Sequence, residues 1–204
     1  VHVQAGSLIL TGDTTDFGGN TAIDSGSTLQ LGNGGASGSL NGDIANNGIL
    51  AFNRSDDALM IDDAISGSGQ VQQNGSGTTT LTGVNTYTGD TIINQGTLAV
   101  NEDGALTATR SISDDGTLAI SDNGKVTTGH VNLGTTDGKK GILTITDAGS
   151  LTTSGTLNIA YAANSTGEVT VDGTDAKLNT VQITVGEQGT GTLNVKNGAT
   201  VTVD

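Results

Sequence analysis

Short segments in which aliphatic and polar residues alternate recur through the second half of the chain. Four of them start at regularly spaced glycines: GTLAISDNGKV from Gly116, GILTITDAGSL from Gly141, GEVTVDGTDAKL from Gly167 and GTLNVKNGATV from Gly191. A second set recurs with the same interval: VNLG from Val131, LNIA from Leu157 and ITVG from Ile183. Alternation with a period of two is typical of strands that bury one face. The pattern therefore predicts two or three short strands in each repeat.

Aligning the copies places similar residues in columns. Five aliphatic columns result: Leu118, Leu143, Val169 and Leu193; Ile120, Ile145, Val171 and Val195; Val126, Leu151, Leu178 and Val201; Val131, Leu157 and Ile183; Leu133, Ile159 and Val185. Between the first two columns lie Ala119, Thr144, Thr170 and Asn194. Because side chains in a strand alternate between faces, the aliphatic columns are predicted to point inward and the more polar column outward.

A repeat of about 25 residues excludes most repeat architectures. The period-two alternation and the frequent glycines argue against helical repeats, and propeller blades need about 40 residues. The pattern predicts an all-β, single-stranded parallel β-helix, a β-solenoid of eight or nine coils in which each strand pairs with its equivalent one coil along.

Composition agrees with this fold and narrows the function. The chain has 33 glycines, no proline, cysteine or tryptophan, and 2% aromatic residues, which suits a narrow core of stacked aliphatic side chains. A net charge of −14 without a basic stripe argues against nucleic acid or an acidic lipid surface as a partner. No apolar run is as long as a membrane-spanning helix requires, no signal peptide is visible, and the sequence looks like a piece of a longer protein.

The first half contains a longer unit in two copies. GSLILTGDTTDFGGNTAIDSGSTLQL from Gly6 parallels GTTTLTGVNTYTGDTIINQGTLAV from Gly77, and their LTG tripeptides begin at Leu10 and Leu81. This spacing predicts a separation of roughly three coils. The second copy resembles the passenger-associated repeat of bacterial autotransporters, whose usual form is close to LTGxNTYTGGTTIxxGTL. The segment from Asn46 to Gly83 is similar to the one that commonly precedes it.

The resemblance assigns a structural role to the motif residues Gly83, Asn85, Tyr87, Gly89, Thr91, Asn94 and Gly96. We expect Tyr87 to cover the core at a corner between coils. Three departures from the family pattern stand out: Asp90 replaces the second glycine of the GG pair, Thr79 replaces a usual leucine, and Asp16-Phe17 disturbs the tyrosine position of the first copy.

The resemblance also implies a context. It implies a right-handed β-helix within the passenger of a large protein at the cell surface or outer membrane of a Gram-negative bacterium, or secreted from it. A C-terminal β-barrel of the full-length protein would be its partner in export. The whole chain, 1–204, would be one β-helix segment. Coils of the passenger-associated type would occupy 1–112, and degenerate coils of about 25 residues would occupy 113–204.

No catalytic or metal-binding constellation is evident. His2 and His130 are far apart, and His130 is predicted at a turn before a strand. Four carboxylate pairs, Asp56-Asp57, Asp62-Asp63, Glu102-Asp103 and Asp114-Asp115, are expected at turns and edges, because neighbours in a strand point to opposite faces. A polysaccharide-processing β-helix enzyme would need such groups on one face, so we expect no enzyme, no metal and no cofactor.

Variable segments between the strands are the better interaction candidates. GTTDGKKG, AYAANSTG and GEQGTG recur at one edge of the predicted rod, and they contain Lys139, Lys140, Tyr161, Asn164 and Glu187. A binding patch there competes with ordinary solvated turns. The sequence thus predicts a surface adhesin that mediates aggregation, biofilm formation or host attachment, with itself or host surface and matrix molecules as partners. A passive stalk that helps secretion and presents another domain is the alternative.

Overall fold

The computed structural model describes residues 1–13 and 19–204, which form a β-solenoid of about nine coils. The Asp16-Phe17 departure lies outside the described residues. The paired strands run parallel, and each pair joins a strand to its equivalent in a neighbouring coil. The predicted all-β solenoid is therefore confirmed. No helix among these residues is long and apolar enough to cross a membrane.

The strands are short and are separated by turns. The first five coils contain β1 (His2–Val3), β2 (Ser7–Leu10), β3 (Thr21–Ile23), β4 (Thr28–Leu31), β5 (Ile44–Asn46), β6 (Ile49–Phe52), β7 (Leu59–Ile61), β8 (Ile65–Ser66), β9 (Gln70–Gln73), β10 (Thr78–Leu81), β11 (Val84–Asn85), β12 (Thr91–Ile93) and β13 (Thr97–Val100). The remaining coils contain β14 (Ala105–Asp114), β15 (Thr117–Ile120), β16 (Lys125–Leu133), β17 (Lys140–Ile145), β18 (Ser150–Thr153), β19 (Thr156–Ile159), β20 (Thr166–Asp172), β21 (Lys177–Thr180), β22 (Gln182–Val185), β23 (Thr190–Lys196) and β24 (Thr200–Val203).

These strands build three faces around one core. The first face contains β1, β3, β5, β8, β11, the first parts of β14 and β16, and then β18, β21 and β24. The second face contains β2, β4, β6, β9, β12, the last parts of β14 and β16, and then β19 and β22. The third face contains β7, β10, β13, β15, β17, β20 and β23. The first and second faces merge into one sheet from β14 onward, because β14 and β16 run across the corner between them.

One inward column follows the second face through the whole solenoid. Successive register partners in this column are Leu10, Leu31, Phe52, Gln73, Ile93, Asp114, Leu133, Ile159 and Val185. The intervals between successive residue numbers in this column show that the coils up to Leu133 contain fewer residues than the coils beyond it. The longer coils therefore begin after β16, where the turns between the second and third faces lengthen.

The five aliphatic columns predicted for the second half are confirmed by the strand register. Leu118 pairs with Leu143 and Leu143 with Val169, for example, and all three are fully buried. Burying one such side chain contributes about 1.5–3 kcal/mol, so the core is a sum of similar increments along the stack. In the last full coil Val185 and Val195 are about half exposed, at 50% and 48%.

The two copies of the longer unit do not occupy equivalent places in the stack. Leu10 ends β2 on the second face, whereas Leu81 ends β10 on the third face. The separation is three coils, as predicted, plus one further face, so the two copies start on different faces. Because the coils of this half are short, the interval from Leu10 to Leu81 covers three coils and then advances to the next face.

Candidate functional site

An open cleft of about 450 Å³ runs along the corner between the first and second faces. Its floor includes Gly48, Gly69 and Gly89, one from each of three successive coils. A Cβ on Gly69 would lie 2.4 Å from the carbonyl oxygen of Gly48, and one on Gly89 would lie 2.1 Å from that of Gly69. Successive turns approach so closely that only glycine fits, and the floor of the cleft is bare backbone.

Polar residues on either side of these glycines line the cleft. Asn47 Oδ1 accepts hydrogen bonds from the backbone N–H and the hydroxyl of Ser68, both at 3.2 Å. Gln70 Oε1 accepts a bond of 2.9 Å from Gln72 Nε2. Among the described residues, the amide nitrogens Asn47 Nδ2 and Gln70 Nε2 have no hydrogen-bond acceptor. Two amide donors are thus left for a ligand.

An ion pair lines the cleft at its later coils. The Arg110 guanidinium donates from Nε to Asp90 Oδ1 at 2.8 Å and from Nη2 to Asp90 Oδ2, and the Ser111 hydroxyl also donates to Asp90. The hydrogen bond from Arg110 holds the pKa of Asp90 below its usual range, and Asp90 in turn raises the pKa of Arg110. The paired charges cancel, so the cleft carries no net charge.

Two departures from the repeat consensus have structural partners. Asp90, in place of the second glycine, is the partner of Arg110 one coil along. Thr79, in place of a usual leucine, is buried and donates a 2.8 Å hydrogen bond to Gln73 Oε1. Gln73 Nε2 bonds the carbonyl oxygens of Gly75 and Gly77, so this buried amide has its donors and its acceptor satisfied.

Tyr87 is buried at the corner between the first and second faces, as predicted, with 1% of its surface exposed. Its hydroxyl lies 2.6 Å from Thr91 Oγ1, which lies 3.0 Å from Thr109 Oγ1 in the next coil. Burial raises the pKa of the Tyr87 phenol well above its ordinary value. The tyrosine therefore packs the core and anchors a chain of hydroxyl groups between coils, and it is not available to a ligand.

The remaining motif residues also serve the stacking of coils. Asn85 is buried; its Oδ1 accepts the N–H of Ile65, and its Nδ2 bonds the carbonyl oxygen of Gly83. Asn94 Nδ2 donates a 2.6 Å bond to Asn74 Oδ1 one coil earlier. Gly96 has a φ of 65°, a conformation that favours glycine.

The three variable segments form stacked loops where the second face turns to the third. Backbone hydrogen bonds join successive loops, from Ala162 N to Gly134 O and from Gln188 N to Ala160 O. The predicted interaction residues are all exposed: Lys139, Lys140, Tyr161, Asn164 and Glu187. We call residues 134–140, 160–166 and 186–190 the loop ridge.

Two of the predicted interaction residues, Lys140 and Asn164, have acidic partners. Lys140 Nζ pairs with Glu168 at 3.0 Å, and Asn164 Nδ2 bonds Asp137 Oδ1 at 2.9 Å. Tyr161 begins its loop and is 40% exposed, whereas Lys139 and Lys140 end the preceding loop. No contact described for Tyr161 reaches either lysine. A binding patch at the loop ridge stays a prediction.

Most carboxylates lie at corners of the solenoid. Of those in the described part of the chain, only Asp114, Glu168 and Asp172 belong to strands. The pair Glu102-Asp103, with φ values of 52° and 67°, forms a turn after β13, as predicted. The prediction fails at Asp114, which points into the core because the alternation within β14 buries it with Ile112.

Neither histidine lines the cleft. His2 Nε2 lies 3.0 Å from Asp24 Oδ1 near the beginning of the chain. His130 lies inside β16 and not at the predicted turn, and its Nδ1 accepts the N–H of Thr156. Within the described residues, no group of three or more histidine, cysteine or carboxylate side chains could hold a metal ion.

Comparisons with known proteins agree with the repeat analysis. Residues 4–31 and 71–100 match the family model of the passenger-associated-transport-repeat. The chain is 38% identical over 97 residues, 48% of its length, to a protein described as adhesin BmaC autotransporter of Brucella suis biovar 1 (strain 1330). It spans about 3% of the length of that relative. No solved structure shows a significant match. The repeats and the relative together support an autotransporter passenger domain.

Proposed function

We propose that this chain, a segment of an autotransporter passenger, is part of a surface adhesin and itself supplies contact surface for a partner. The observation that carries the proposal is the open polar cleft along successive coils, lined by amide groups without acceptors. Similarity to a protein described as an adhesin supports the same assignment. The proposed location is the outer surface of a Gram-negative cell, or the medium after secretion.

The chemistry of the cleft suggests the kind of ligand. Bare backbone and free amide donors favour a polar chain, and the internally neutralised pair of Asp90 and Arg110 favours an uncharged one. Hydroxyl groups both donate and accept hydrogen bonds, so they can use both kinds of group in the cleft. We therefore propose that the cleft takes an extended, uncharged polyhydroxylated chain such as a neutral surface or matrix glycan.

The distribution of charge also bears on contacts between copies of the chain. A net charge of −14 opposes association of like rods. Because most carboxylates lie at corners, the outward rows from β10 to β15, such as Thr80, Ala99 and Ala119, are free of charge. Flat uncharged faces let two rods approach with their carboxylates apart, and screening over about 8 Å at physiological salt weakens the remaining repulsion. Homotypic contact is thus the second proposed mode of adhesion.

A passive stalk is the second candidate function. Many of the repeat-motif residues, including Tyr87, Asn85 and Gly89, are used by the stacking of coils. The chain also spans about 3% of its relative, so adhesion of the whole protein can reside elsewhere. In this role the coils would assist secretion and hold another domain away from the cell.

A cleft-filling variant separates the two candidates. Thr88 is exposed and lines the cleft, so Thr88→Trp fills the cleft without touching the core. Thr127 is an exposed threonine of β16 that does not line the cleft, and Thr127→Trp is the matched control. Both variants are displayed on bacteria within the full passenger, and attachment to host cells and to glycan-coated surfaces is measured per displayed molecule.

The adhesin proposal predicts that Thr88→Trp lowers attachment several-fold and that Thr127→Trp leaves it unchanged. Equal attachment by both variants rejects the cleft as the contact site. If deletion of residues 1–204 lowers display but leaves both attachment and cell aggregation per displayed molecule unchanged, the segment is a stalk.

A further inference from the structure

The second face has one carboxylate inside its inward column. Asp114 occupies this column between Ile93 of the preceding coil and Leu133 of the following coil, both of which are its register partners. All three side chains are fully buried, with about 1% exposure or less. A hydrophobic residue would continue the column without interruption, so the carboxyl group takes the place of an aliphatic side chain.

The hydrogen bonding of Asp114 is incomplete. Its Oδ1 accepts the N–H of Gly116 at 2.8 Å, whereas its buried Oδ2 has no hydrogen-bond partner. Gln73, two coils earlier in the same column, differs because both ends of its amide are bonded. A buried ionised carboxylate without full hydrogen bonding is strongly unfavourable, and such groups usually take up a proton instead.

Among the residues that the structure describes, no cation compensates a charge at this position. The inward side chains of β12, β15, β16 and β17 nearest to it are uncharged: Thr91, Ile93, Leu118, Ile120, Val131, Leu133, Leu143 and Ile145. The charged or titratable side chains on the packed strands, Arg110, Lys125, His130 and Lys140, are all exposed. Neighbouring Asp115 bonds Thr135 and Thr136 and adds a negative charge.

We propose that Asp114 is a proton-dependent weak point of the solenoid. The folded stack holds this side chain uncharged, and loss of its proton loosens the contact of β14 with β12 and β16. Asp114 lies one coil before the shorter coils give way to the longer ones, so opening there would divide the rod into two stacks. Alkaline surroundings would thus loosen the rod at one defined coil.

The direction of the pH effect follows from the raised pKa of Asp114. Burial raises the pKa of Asp114 from 3.8 to about 8, while the backbone amides of Gly116, Leu118 and Ile142 act in the opposite direction. Because the pKa of Asp114 is higher in the folded state than in the unfolded state, Asp114 contributes its full stabilisation below its unfolded-state pKa. This stabilisation is lost as the pH rises through its folded-state pKa. Between these limits the unfolding equilibrium constant should rise by up to about tenfold per pH unit on account of this group.

Urea unfolding of the whole chain between pH 5 and pH 9 tests the proposal. Asp114→Asn has nearly the same shape and does not ionise in this range, so it should lack the alkaline weakening. The ratio of wild-type to variant unfolding constants should rise steeply with pH and level off above about pH 8. Asp122→Asn is the matched control: it removes one exposed carboxylate at a φ of 47°, which asparagine tolerates, and should keep the wild-type pH dependence.

Two further measurements keep the test decisive if Asp114→Asn folds poorly. Asp114→Leu continues the aliphatic column and provides a second non-ionising variant. Carbon-13 NMR of the wild-type chain, with the Asp114 signal assigned through either variant, reports the titration of this carboxyl directly. A ratio of wild-type to variant unfolding constants that stays constant from pH 5 to pH 9 overturns the proposal. An Asp114 carboxyl that is ionised at pH 6 also overturns it.

Discussion

Truncating the buried tyrosine should weaken the solenoid locally and by a definable amount. In Tyr87→Phe the ring is retained but the 2.6 Å hydrogen bond to Thr91 is lost. Thr91 keeps its contact with Thr109, so only one net hydrogen bond disappears, which costs about 1–1.5 kcal/mol of unfolding free energy. Tyr87→Ala also removes a fully buried ring and should cost about 3–5 kcal/mol.

The other tyrosine provides a matched control. Tyr161 is 40% exposed, and its hydroxyl has no described partner, so Tyr161→Phe should change the unfolding free energy by less than about 0.5 kcal/mol. Urea unfolding gives the free energies of all three variants. Hydrogen exchange then locates the effect: because coils contact mainly their neighbours, protection should fall around β12 and β14 and persist in β20 and β23.

Two results would refute this reasoning. Equal stability of Tyr87→Phe and Tyr161→Phe would mean that the hydroxyl chain contributes nothing to folding. A loss of less than about 1 kcal/mol in Tyr87→Ala would mean that the corner repacks without the ring.

Two other perturbations test the glycine floor and the single buried arginine. Gly69→Ala places a Cβ 2.4 Å from the carbonyl oxygen of Gly48 and should cost about 1–3 kcal/mol, whereas Gly12→Ala meets nothing within 4 Å and should be neutral in the same thermal melt. Arg54 is 8% exposed and bonds Asp56 through Nε and Nη2, so Arg54→Met should lower the unfolding free energy by on the order of 3 kcal/mol. The hydrogen bond from Arg54 lowers the pKa of Asp56. The stability that this carboxylate contributes is therefore present above about pH 4 and is lost in acid. The difference in unfolding free energy between wild type and Asp56→Asn should close as the pH falls from 5 to 2.

The sequence was sufficient to predict the columns of the second half. The repeats of this half contain similar residues at nearly constant spacing, and parallel pairing places equivalent residues one above another. Alignment of the repeats alone therefore predicted that Leu118 pairs with Leu143. The inward position of Tyr87 was predicted from the repeat motif. Neither prediction required knowledge of the turns, because columns depend only on which residues are equivalent.

The face on which each repeat copy lies, and the local contacts of single residues, were harder to predict. The spacing of Leu10 and Leu81 was interpreted with the coil length of the second half, but the first-half coils are shorter, and only strand pairing reveals their length. Asp114 was assigned to a turn as a member of an acidic pair, although alternation after Ile112 indicated that it points inward. The cleft was missed altogether; the regular recurrence of Gly48, Gly69 and Gly89 along the chain was the available signal.

The advance of one face between the two repeat copies has a consequence for how such rods change length. Recombination between the copies would remove or add the stretch from Leu10 to Leu81, and the strands at the junction would still match because the copies share a sequence. The stack would change by three coils, and everything after the junction would turn by a further third of a revolution about the rod axis. A shortened or lengthened descendant would therefore display the loop ridge in a new direction, and exchange of repeats alters the side of the rod presented to a partner as well as its reach.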